Sequence, residues 1–257
     1  METGKLLCVI GSEALKNISL ITVYNNINLL QQMVESASMQ ENVTIDYVLI
    51  DNRTNQFASA AAALNYGAKK AKGEVLVFLH QDIEFLEKSA LSDIYRFGVT
   101  NQNTIFGAAG VKSKLVDTGE FFSSMYAGED KVQYKCCTAP ANCYTLDECL
   151  IACHRDVMKR IKFDEETCDG WHLYGADFCL QAGLIPEYSV MVIPMDYVWH
   201  KSNGNADKYY IKTQDLLAKK YRGKYKIINT TNGFQYTNPV KRLFVSTYRR
   251  LRYRAWI

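Results

Sequence analysis

Short apolar strands that end in polar side chains, each followed by a helical stretch, constrain the fold of this 257-residue chain more than any other feature. Residues 18–24 are rich in β-branched side chains, and residues 45–50 and 74–79 form two further apolar runs. Between them, residues 29–37 and 59–71 repeat apolar positions at helical spacing. Strands and helices that alternate in this way predict an α/β fold: a mostly parallel sheet, Rossmann-like, with helices on both faces.

The same alternation continues along the chain. Residues 112–142 interrupt it with an irregular segment, a length that is typical of functional loops. The composition, 48% hydrophobic and 22% charged, is that of a globular protein. Further strands are predicted at 104–111 and 190–199, and further helices at 89–97, 155–161, 171–184 and 207–221.

Targeting signals are absent from the sequence pattern. No apolar run approaches the roughly 18 residues that span a bilayer, and residues 1–4 do not begin a secretion signal. We therefore expect a cytoplasmic location, extending to the inner face of the cell membrane. In that reducing compartment the eight cysteines are predicted to be free thiols.

The charge is unevenly distributed. Residues 216–257 contain 11 of the 30 Lys and Arg residues and no Asp or Glu. Within this segment Asn238-Pro239 is a favourable helix start, and apolar positions then recur on one face. The sequence thus predicts a folded body, 1–215, and a basic appendage, 216–257, whose amphipathic helix could meet an anionic membrane surface, a partner or the body itself. No nucleic-acid motif accompanies the charge.

The strand ends carry the candidate ligand-binding groups. Tyr24-Asn25, Asp51 and the pair His80 and Asp82 follow three successive apolar strands. In parallel sheets, ligands bind beyond the carboxyl ends of the strands. There the ring of Tyr24 could stack on a base, Asp51 could accept hydrogen bonds from a base or a sugar, and Asp82 could hold a cation. Each residue alone also fits an ordinary turn or helix cap.

These motifs, taken in order, resemble the family 2 glycosyltransferases, which have the glycosyltransferase-A (GT-A) fold. The resemblance covers roughly residues 19–200 and is nearest to the branch that carries His-Gln-Asp where most members carry Asp-x-Asp. It is carried by residues 19–25 (SLITVYN), 48–52 (VLIDN), 65–68 (NYGA), 71–74 (AKGE), 78–82 (FLHQD), 146–148 (LDE), 163–165 (FDE) and 172–177 (HLYGAD).

The resemblance implies a nucleotide-diphosphate-sugar donor, with a UDP-sugar favoured, and a divalent metal ion, Mn²⁺ or Mg²⁺. It implies that Asp51 contacts the nucleobase, beside Tyr24 and Asn25, and that Asp82 binds the metal. A late histidine, His200, would complete the metal site. His80 replaces the usual first Asp, so it would either contact the donor or act as a metal ligand.

The resemblance also implies transfer with inversion, for which a carboxylate must take the proton of the acceptor hydroxyl. Asp177, at the start of a late helix, matches the position of this general base, and Asp169 is its rival. Asp147 would lie near the donor sugar, and His172 and Tyr174 would shape the acceptor site.

The sequence therefore predicts an inverting, metal-dependent glycosyltransferase that acts on a glycan or lipid-linked acceptor in cell-surface polysaccharide or glycan synthesis. Two alternatives stay open. One is a non-catalytic scaffold that binds a nucleotide or a glycan. The other is a sugar nucleotidyltransferase, which usually has a Gly-rich loop near the first strand, an arrangement that Gly4 and Gly11 do not form. The sugar, the linkage and the oligomeric state are not encoded in these motifs.

Overall fold

The computed structural model of the chain describes residues 17–112, 120–133, 137–202 and 207–254. Its strands are β1 (Asn17–Tyr24), β2 (Thr44–Asp51), β3 (Val75–Leu79), β4 (Ile83–Phe85), β5 (Thr104–Gly107), β6 (Ala109–Lys112), β7 (Glu120–Ser123), β8 (Tyr126–Ala127), β9 (Val132–Gln133), β10 (Ala141–Asn142), β11 (Thr145–Leu146), β12 (Leu150–His154), β13 (Ser189–Val192), β14 (Val198–His200), β15 (Ile227–Thr230) and β16 (Gly233–Tyr236). Its helices are α1 (Ile27–Ser38), α2 (Ala60–Lys70), α3 (Ala90–Thr100), α4 (Val157–Arg160), α5 (Tyr174–Ala182), α6 (Lys208–Lys220) and α7 (Pro239–Arg254).

The central sheet has seven strands in the order β10-β13-β5-β12-β3-β1-β2. Strand β1 pairs in parallel with β2 and β3, and β13 pairs in parallel with β5. Strand β12 runs antiparallel to both of its neighbours, β3 and β5. The predicted α/β fold is confirmed, and the sheet is mixed, as is common in large α/β sheets.

Helices cover both faces of the sheet, which explains why its central strands are apolar throughout. All five residues of β3 are buried. Leu76 and Phe78 face a core shared with α2, α5 and α6, whereas Val75, Val77 and Leu79 face a core shared with α1 and α3. This alternation is the two-residue period of a strand with a hydrophobic core on each side.

Short polar side chains begin several of the helices. The side-chain oxygen of Asn26 accepts hydrogen bonds from the backbone of residues 28 and 29, at the start of α1. Ser59 caps α2 and Asp207 caps α6 in the same way. Asn238 accepts from the backbone nitrogens of Val240 and Lys241, which confirms the helix start predicted for α7.

The predicted late strand is divided in two. Strand β13 stays in the central sheet, but β14 leaves it and enters a second sheet of order β4-β14-β8-β9. There β14 pairs antiparallel with β4, with His200 opposite Ile83. The irregular segment contributes β7, β8, β9 and β10 in its described part. The division of the late strand matters because it carries His200 away from the core and toward the end of β3.

The C-terminal segment is built into the body. The predicted boundary between residues 215 and 216 falls inside α6, so it is not a structural boundary. The hairpin β15–β16 then packs on β6 and β11. The hydroxyl of Thr145 donates to the carbonyl oxygen of Asn229 at 2.7 Å, which ties the hairpin to β11. Helix α7 follows the hairpin and packs on α6 and β16.

The described part of the chain, residues 17–112, 120–133, 137–202 and 207–254, contains seven helices and six cysteines. The described helices include none with the length and hydropathy needed to cross a bilayer. The six cysteines in this part of the chain are all free thiols, as predicted; they are Cys137, Cys143, Cys149, Cys153, Cys168 and Cys179.

Gly73, between α2 and β3, provides a test of this packing. A Cβ atom there would lie 2.4 Å from the backbone nitrogen of Ser19 and 2.7 Å from the backbone carbon of Ile18. These atoms belong to the buried strand β1 and cannot move aside. Gly73→Ala is therefore expected to lower the free energy of unfolding by about 1–3 kcal/mol in urea denaturation. Gly170→Ala is the control, since its Cβ would meet no atom within 4 Å; equal stability of the two variants would contradict the packing.

Candidate active site

Two adjoining cavities open at the carboxyl end of β3. We call the first the strand-end cavity; it measures about 400 Å³ and lies beyond β1 and β3. Of the residues predicted from the sequence, it is lined by Tyr24, Asn25, His80, Asp82 and Tyr174.

The second, the hairpin-side cavity, also measures about 400 Å³ and shares His80, Trp171 and Ser202 with the first. A smaller cavity of about 270 Å³ continues from it. The lining of the hairpin-side cavity includes His80, Asp147, Glu148, His172, His200, Thr231 and Asn232.

A cluster of two histidines and one carboxylate lies where the cavities meet. His80 follows β3, Asp82 precedes β4, and His200 ends β14. The backbone nitrogen of Lys201 donates to the carbonyl oxygen of Asp82 at 3.1 Å, which continues the β4–β14 pairing past the cluster. The Nε2 atom of His200 lies 3.3 Å from His80 Nδ1 and 3.4 Å from Asp82 Oδ1. One ligand atom from each of the three lies within 4.8 Å of the others.

The electrostatics of the cluster suit a cation. Burial raises the pKa of the Asp82 carboxyl, but hydrogen bonds with His200 and Ser202, and the attraction of the His200 ring when it is protonated, outweigh burial and hold the pKa well below its usual range. Burial, together with the charge of His200, lowers the pKa of His80 to about 4. At neutral pH, Asp82 is therefore ionised and His80 carries a free lone pair. An ionised carboxylate beside imidazole nitrogens is a donor set that fits a divalent metal ion.

Gln81, between the two cluster residues, fastens β1 to this turn. Its Oε1 accepts hydrogen bonds from the backbone nitrogens of Asn25 at 3.0 Å and Asn26 at 2.8 Å. Its Nε2 donates to Asn25 Oδ1 at 2.8 Å. The side chain thus holds the ends of β1 and β3 at a fixed separation, a role that the sequence reasoning did not assign to it.

Asp51 lies beside the strand-end cavity and not among its lining residues. Hydrogen bonds from the side chain and backbone of Arg53 hold its pKa well below the usual range, and the shortest ion-pair distance is 2.5 Å. The guanidinium of Arg53 also lies 5.7 Å from the ring centre of Tyr24. Because an exposed ion pair is weak, Arg53 can exchange this carboxylate for another partner. The predicted nucleobase contact of Asp51 stays a prediction.

Asp147 and Glu148 lie in the turn between β11 and β12, and both face the hairpin-side cavity. Asp147 Oδ2 accepts from the hydroxyl of Thr231 at 2.7 Å, and Oδ1 accepts from the backbone nitrogen of Cys149 at 3.1 Å. Burial raises the pKa of Asp147, but the Thr231 hydrogen bond and the charge of His200 outweigh it, and the net pKa is lowered. Asp147 is therefore an ionised, firmly held carboxylate.

Glu148 has the opposite electrostatics. Its Oε1 accepts from the backbone nitrogen of Gly175, in the first turn of α5, at 3.2 Å. Burial and the neighbouring charge of Asp147 raise the pKa of Glu148 to about 8. A carboxyl whose pKa lies near neutrality can both take and return a proton. Glu148 lies within the motif at residues 146–148, but the sequence alone does not predict a role for it.

Asp177 lies outside both cavities, contrary to what a general base requires. It is 0% exposed, and Lys220 Nζ donates to its Oδ1 at 2.6 Å. The Tyr221 hydroxyl donates to the same oxygen at 2.8 Å, and Gln181 donates to Oδ2 at 2.8 Å. From the first turn of α5, Ala176 lines the hairpin-side cavity and Tyr174 the strand-end cavity, whereas Asp177 lines neither. The geometry gives no support to Asp177 as the base.

The remaining predicted residues divide between the cavities. His172 lines the hairpin-side cavity, where its Nε2 lies 3.2 Å from Asp207 Oδ1. Tyr174 was predicted for the acceptor site, but its ring lines the strand-end cavity, with its hydroxyl 3.3 Å from His80 Nε2. Asp169, the rival base, forms an exposed ion pair with Lys212 and lines neither cavity.

Three further lining residues were not anticipated. The half-exposed ring of Trp171 borders both cavities; its position next to His172, within a motif already quoted, was an available signal. Thr231 and Asn232 come from the turn of the β15–β16 hairpin. Nothing local in the sequence connects this turn with Asp147, since the two are 84 residues apart.

The mixed central sheet, the flanking helices and the order of the strands give this chain the glycosyltransferase-A (GT-A) fold. Residues 19–221 match the family described as "Glycosyltransferase like family". The match covers most of the chain, so the chain belongs to that family. The hairpin turn and α7 lie beyond the matched region.

Solved structures share the fold at low sequence identity. Residues 1–349 of TarS from S. aureus are 17% identical with a TM-score of 0.53; the alignment covers 79% of this chain and 64% of that one. GalNAc-T7 is 15% identical, with a TM-score of 0.54 and coverage of 79% and 48%. The mannosyltransferase PcManGT from Pyrobaculum calidifontis is 13% identical, with a TM-score of 0.50 and coverage of 79% and 62%. The chain thus spans less than two thirds of these structures.

One curated protein is also similar. It is described as "ATP synthase subunits region ORF 6" from Fuscovulum blasticum and is 21% identical over 188 residues, which are 69% of this chain and 71% of that protein.

The environment of Asp177 leads to a stability prediction. Asp177→Asn leaves Lys220 with only Asp164 as an ionic partner, at 2.7 Å. Breaking a buried ion pair costs about 3–5 kcal/mol, and we expect a loss near the lower limit because Asp164 remains. Urea denaturation measures it. Asp169→Asn, which removes an exposed pair with Lys212, is the matched control and should leave stability unchanged. Unchanged stability in Asp177→Asn would show that the buried pair is not formed.

Proposed function

We propose that this chain transfers a sugar, with inversion, from a nucleotide-diphosphate donor in the strand-end cavity to a hydroxyl acceptor in the hairpin-side cavity. The observation that carries the proposal is the cluster of His80, Asp82 and His200 at the junction of the two cavities. A donor whose diphosphate lies at that cluster would have its base in one cavity and its sugar facing the other.

Ligands in the neighbouring structures support a nucleotide-sugar donor. TarS has been solved with UDP and with UDP-GlcNAc, GalNAc-T7 with UDP, GalNAc and Mn²⁺, and the mannosyltransferase with GDP-Man and Mn²⁺. We favour a UDP-sugar. The ring of Tyr24 offers a stacking surface for the base, and Asp51, once released by Arg53, offers a carboxylate to an imide N–H.

The donor set of the cluster favours Mn²⁺ over Mg²⁺. His80 and His200 would contribute imidazole nitrogens and Asp82 a carboxylate oxygen. Mg²⁺ prefers oxygen ligands and keeps its waters, whereas transition ions accept imidazole readily. When bound, such an ion supplies positive charge to the diphosphate leaving group. His80 replaces the first Asp of the common motif, as in the His-Gln-Asp branch that the sequence resembles.

We assign the general base to Glu148 in place of Asp177. In the reaction, the acceptor oxygen forms a bond to the anomeric carbon while the bond to the diphosphate breaks and its electron pair leaves with the diphosphate. The proton of the acceptor hydroxyl passes to the carboxylate of Glu148. Glu148 faces the hairpin-side cavity and is oriented by Gly175, and its raised pKa strengthens it as a base.

Other residues would position the two sugars. The ionised Asp147, held by Thr231, can accept hydrogen bonds from donor-sugar hydroxyls. The exposed ring of Trp171 offers an apolar face to a sugar ring at the passage between the cavities. His172 borders the acceptor side. We propose a glycan or lipid-linked acceptor, in polysaccharide or glycan synthesis at the cytoplasmic side of a membrane.

A second candidate is a scaffold that binds a nucleotide without turnover. The burial of Asp177, the residue that the family resemblance places as the base, favours it. Its signature would be metal-dependent nucleotide binding with no diphosphate release from any donor.

Metal-dependent nucleotide binding tests the donor site. Thermal unfolding is followed with UDP, GDP and their sugars, with and without Mn²⁺ or Mg²⁺. A nucleotide at ~100 times its dissociation constant should add about 2.7 kcal/mol of stability. We expect this increment with UDP and Mn²⁺ and expect it to be lost in Asp82→Asn. Glu84→Gln is the control, because this nearby carboxylate pairs with Lys201 and lies outside the cluster. Stabilisation that persists in Asp82→Asn would refute the metal site.

Glu148→Gln tests the base. The pKa of Glu148 is raised from 4.5 to about 8, so the unfolded chain loses this proton at lower pH than the folded protein does. The folded state is therefore destabilised progressively as the pH rises from 4.5 to about 8. At pH 8 the neutral glutamine removes that cost. We expect Glu148→Gln to unfold at the same or a higher temperature, while diphosphate release from the donor slows by about 100-fold or more.

Asp177→Asn serves as the comparison in the same assays. It should lose stability, for the reason given above, and any loss of turnover should follow the loss of folded protein. The assignment is reversed if Glu148→Gln keeps full turnover while folded Asp177→Asn has none.

A further inference from the structure

Helix α7 presents one face to the body and one to solvent. On the inner face, the buried hydroxyl of Ser246 donates to Asp215 Oδ1 and accepts from Gln235 Nε2 at 3.0 Å. These bonds join α7 to α6 and β16 and set its rotation about its own axis. The outer face is therefore determined by the fold.

That outer face is apolar. Val240, Leu243, Phe244 and Tyr248 are 64–73% exposed, more than any other large hydrophobic residue in the described part of the chain. Leu243, Phe244 and Tyr248 follow Val240 by three, four and eight residues, and this spacing aligns the four side chains in one stripe along the helix. Scattered exposed apolar residues are ordinary, but an aligned stripe marks a contact surface.

The sequence that carries the stripe has charges of a single sign. The sequence of α7 contains six basic residues and no acidic one, and residues 216–257 together hold 11 basic residues and no Asp or Glu. Lys241 is exposed next to the stripe, with its ammonium group 5.1 Å from the ring centre of Tyr236. An apolar stripe within a segment that has basic but no acidic residues complements a surface with an anionic outer layer over an apolar interior.

We propose that the outer face of α7 docks in the plane of an anionic phospholipid membrane. The stripe would enter the boundary between headgroups and acyl chains, where the exposed Lys241 would contact headgroup phosphates and the positive charge of the whole segment would attract the anionic surface. A nucleic-acid backbone would leave the apolar stripe in water. A protein partner would need a matching groove, whereas a lipid surface adapts its shape to the helix.

Flotation with lipid vesicles tests the docking, using the full chain without nucleotide. Vesicles of phosphatidylcholine and phosphatidylserine in equal parts are compared with vesicles of phosphatidylcholine alone. We expect flotation with the mixed vesicles, weakened in high salt as surface charge is screened, and at least about tenfold less with neutral vesicles, since each basic residue near the surface contributes about 1 kcal/mol.

The double variant Leu243→Glu, Phe244→Glu should abolish flotation and leave the unfolding temperature unchanged, because both side chains are exposed. Met39→Glu is the matched control: it also places a charge at an exposed apolar site, but away from α7, and should float normally.

The proposal is overturned if the wild-type chain stays unbound, if it floats equally with both vesicle types, or if the double variant floats as well as the wild type. Self-association of the unbound wild-type chain, measured by light scattering and lost in the double variant, would assign the stripe to a second copy instead. None of these outcomes depends on the proposed sugar transfer.

Discussion

The backbone pairing of β4 with β14 is the interaction on which the candidate site depends. It places His200 opposite Ile83 and brings the backbone of Lys201 onto that of Asp82, immediately beyond the end of β3. His200, which follows His80 by 120 residues in the sequence, thereby meets His80 and Asp82 at the junction of the two cavities. A ladder of backbone hydrogen bonds, unlike a side-chain contact, does not depend on which side chains are present. The backbone pairing thus holds the three positions of the cluster together. The side chains at those positions determine whether nitrogen or oxygen atoms are available as metal ligands.

Two neighbouring carboxylates show how environment separates roles. Asp147 is held in its charged form by the hydroxyl of Thr231, whereas Glu148, one residue later, is driven toward its neutral form by burial and by the charge of Asp147. One carboxylate is suited to fixed hydrogen bonding and the other to proton transfer, a division that pairs of titratable groups in active sites commonly show. Asp177 belongs to a third class, in which a buried charge is neutralised by Lys220 and serves the packing of α5 against α6.

Local patterns predicted most of the fold. The strands β1, β2 and β3 and the helices between them follow from β-branched runs, helical spacing and capping residues. Of the polar residues at the strand ends, Tyr24, Asn25, His80 and Asp82 line one cavity and Asp51 lies beside it, and their contacts with a donor and a metal stay predictions. The late strand was predicted as one because most of residues 190–199 are apolar, but Pro194 and Asp196 lie in the stretch where β13 and β14 separate and were an available signal of the break. Asp177 was predicted as the base from its position in a motif alone. Lys220, whose ammonium group donates to the Asp177 carboxylate, is 43 residues away in the sequence, so no local pattern shows this ion pair. Glu148, Thr231 and Asn232 depend on long-range packing that no local pattern encodes.

The hairpin turn at Thr231 and Asn232 has a consequence for the order in which the site is completed during synthesis. Chains emerge from the ribosome N-terminus first, and N-terminal regions fold as they appear. The central sheet and the cluster can assemble once His200 has emerged, but one wall of the hairpin-side cavity is made of residues produced later. A nascent chain can therefore possess the cluster of His80, Asp82 and His200 before the hairpin-side cavity is enclosed. The segment that closes the cavity, the β15–β16 hairpin, is followed directly by the basic helix α7.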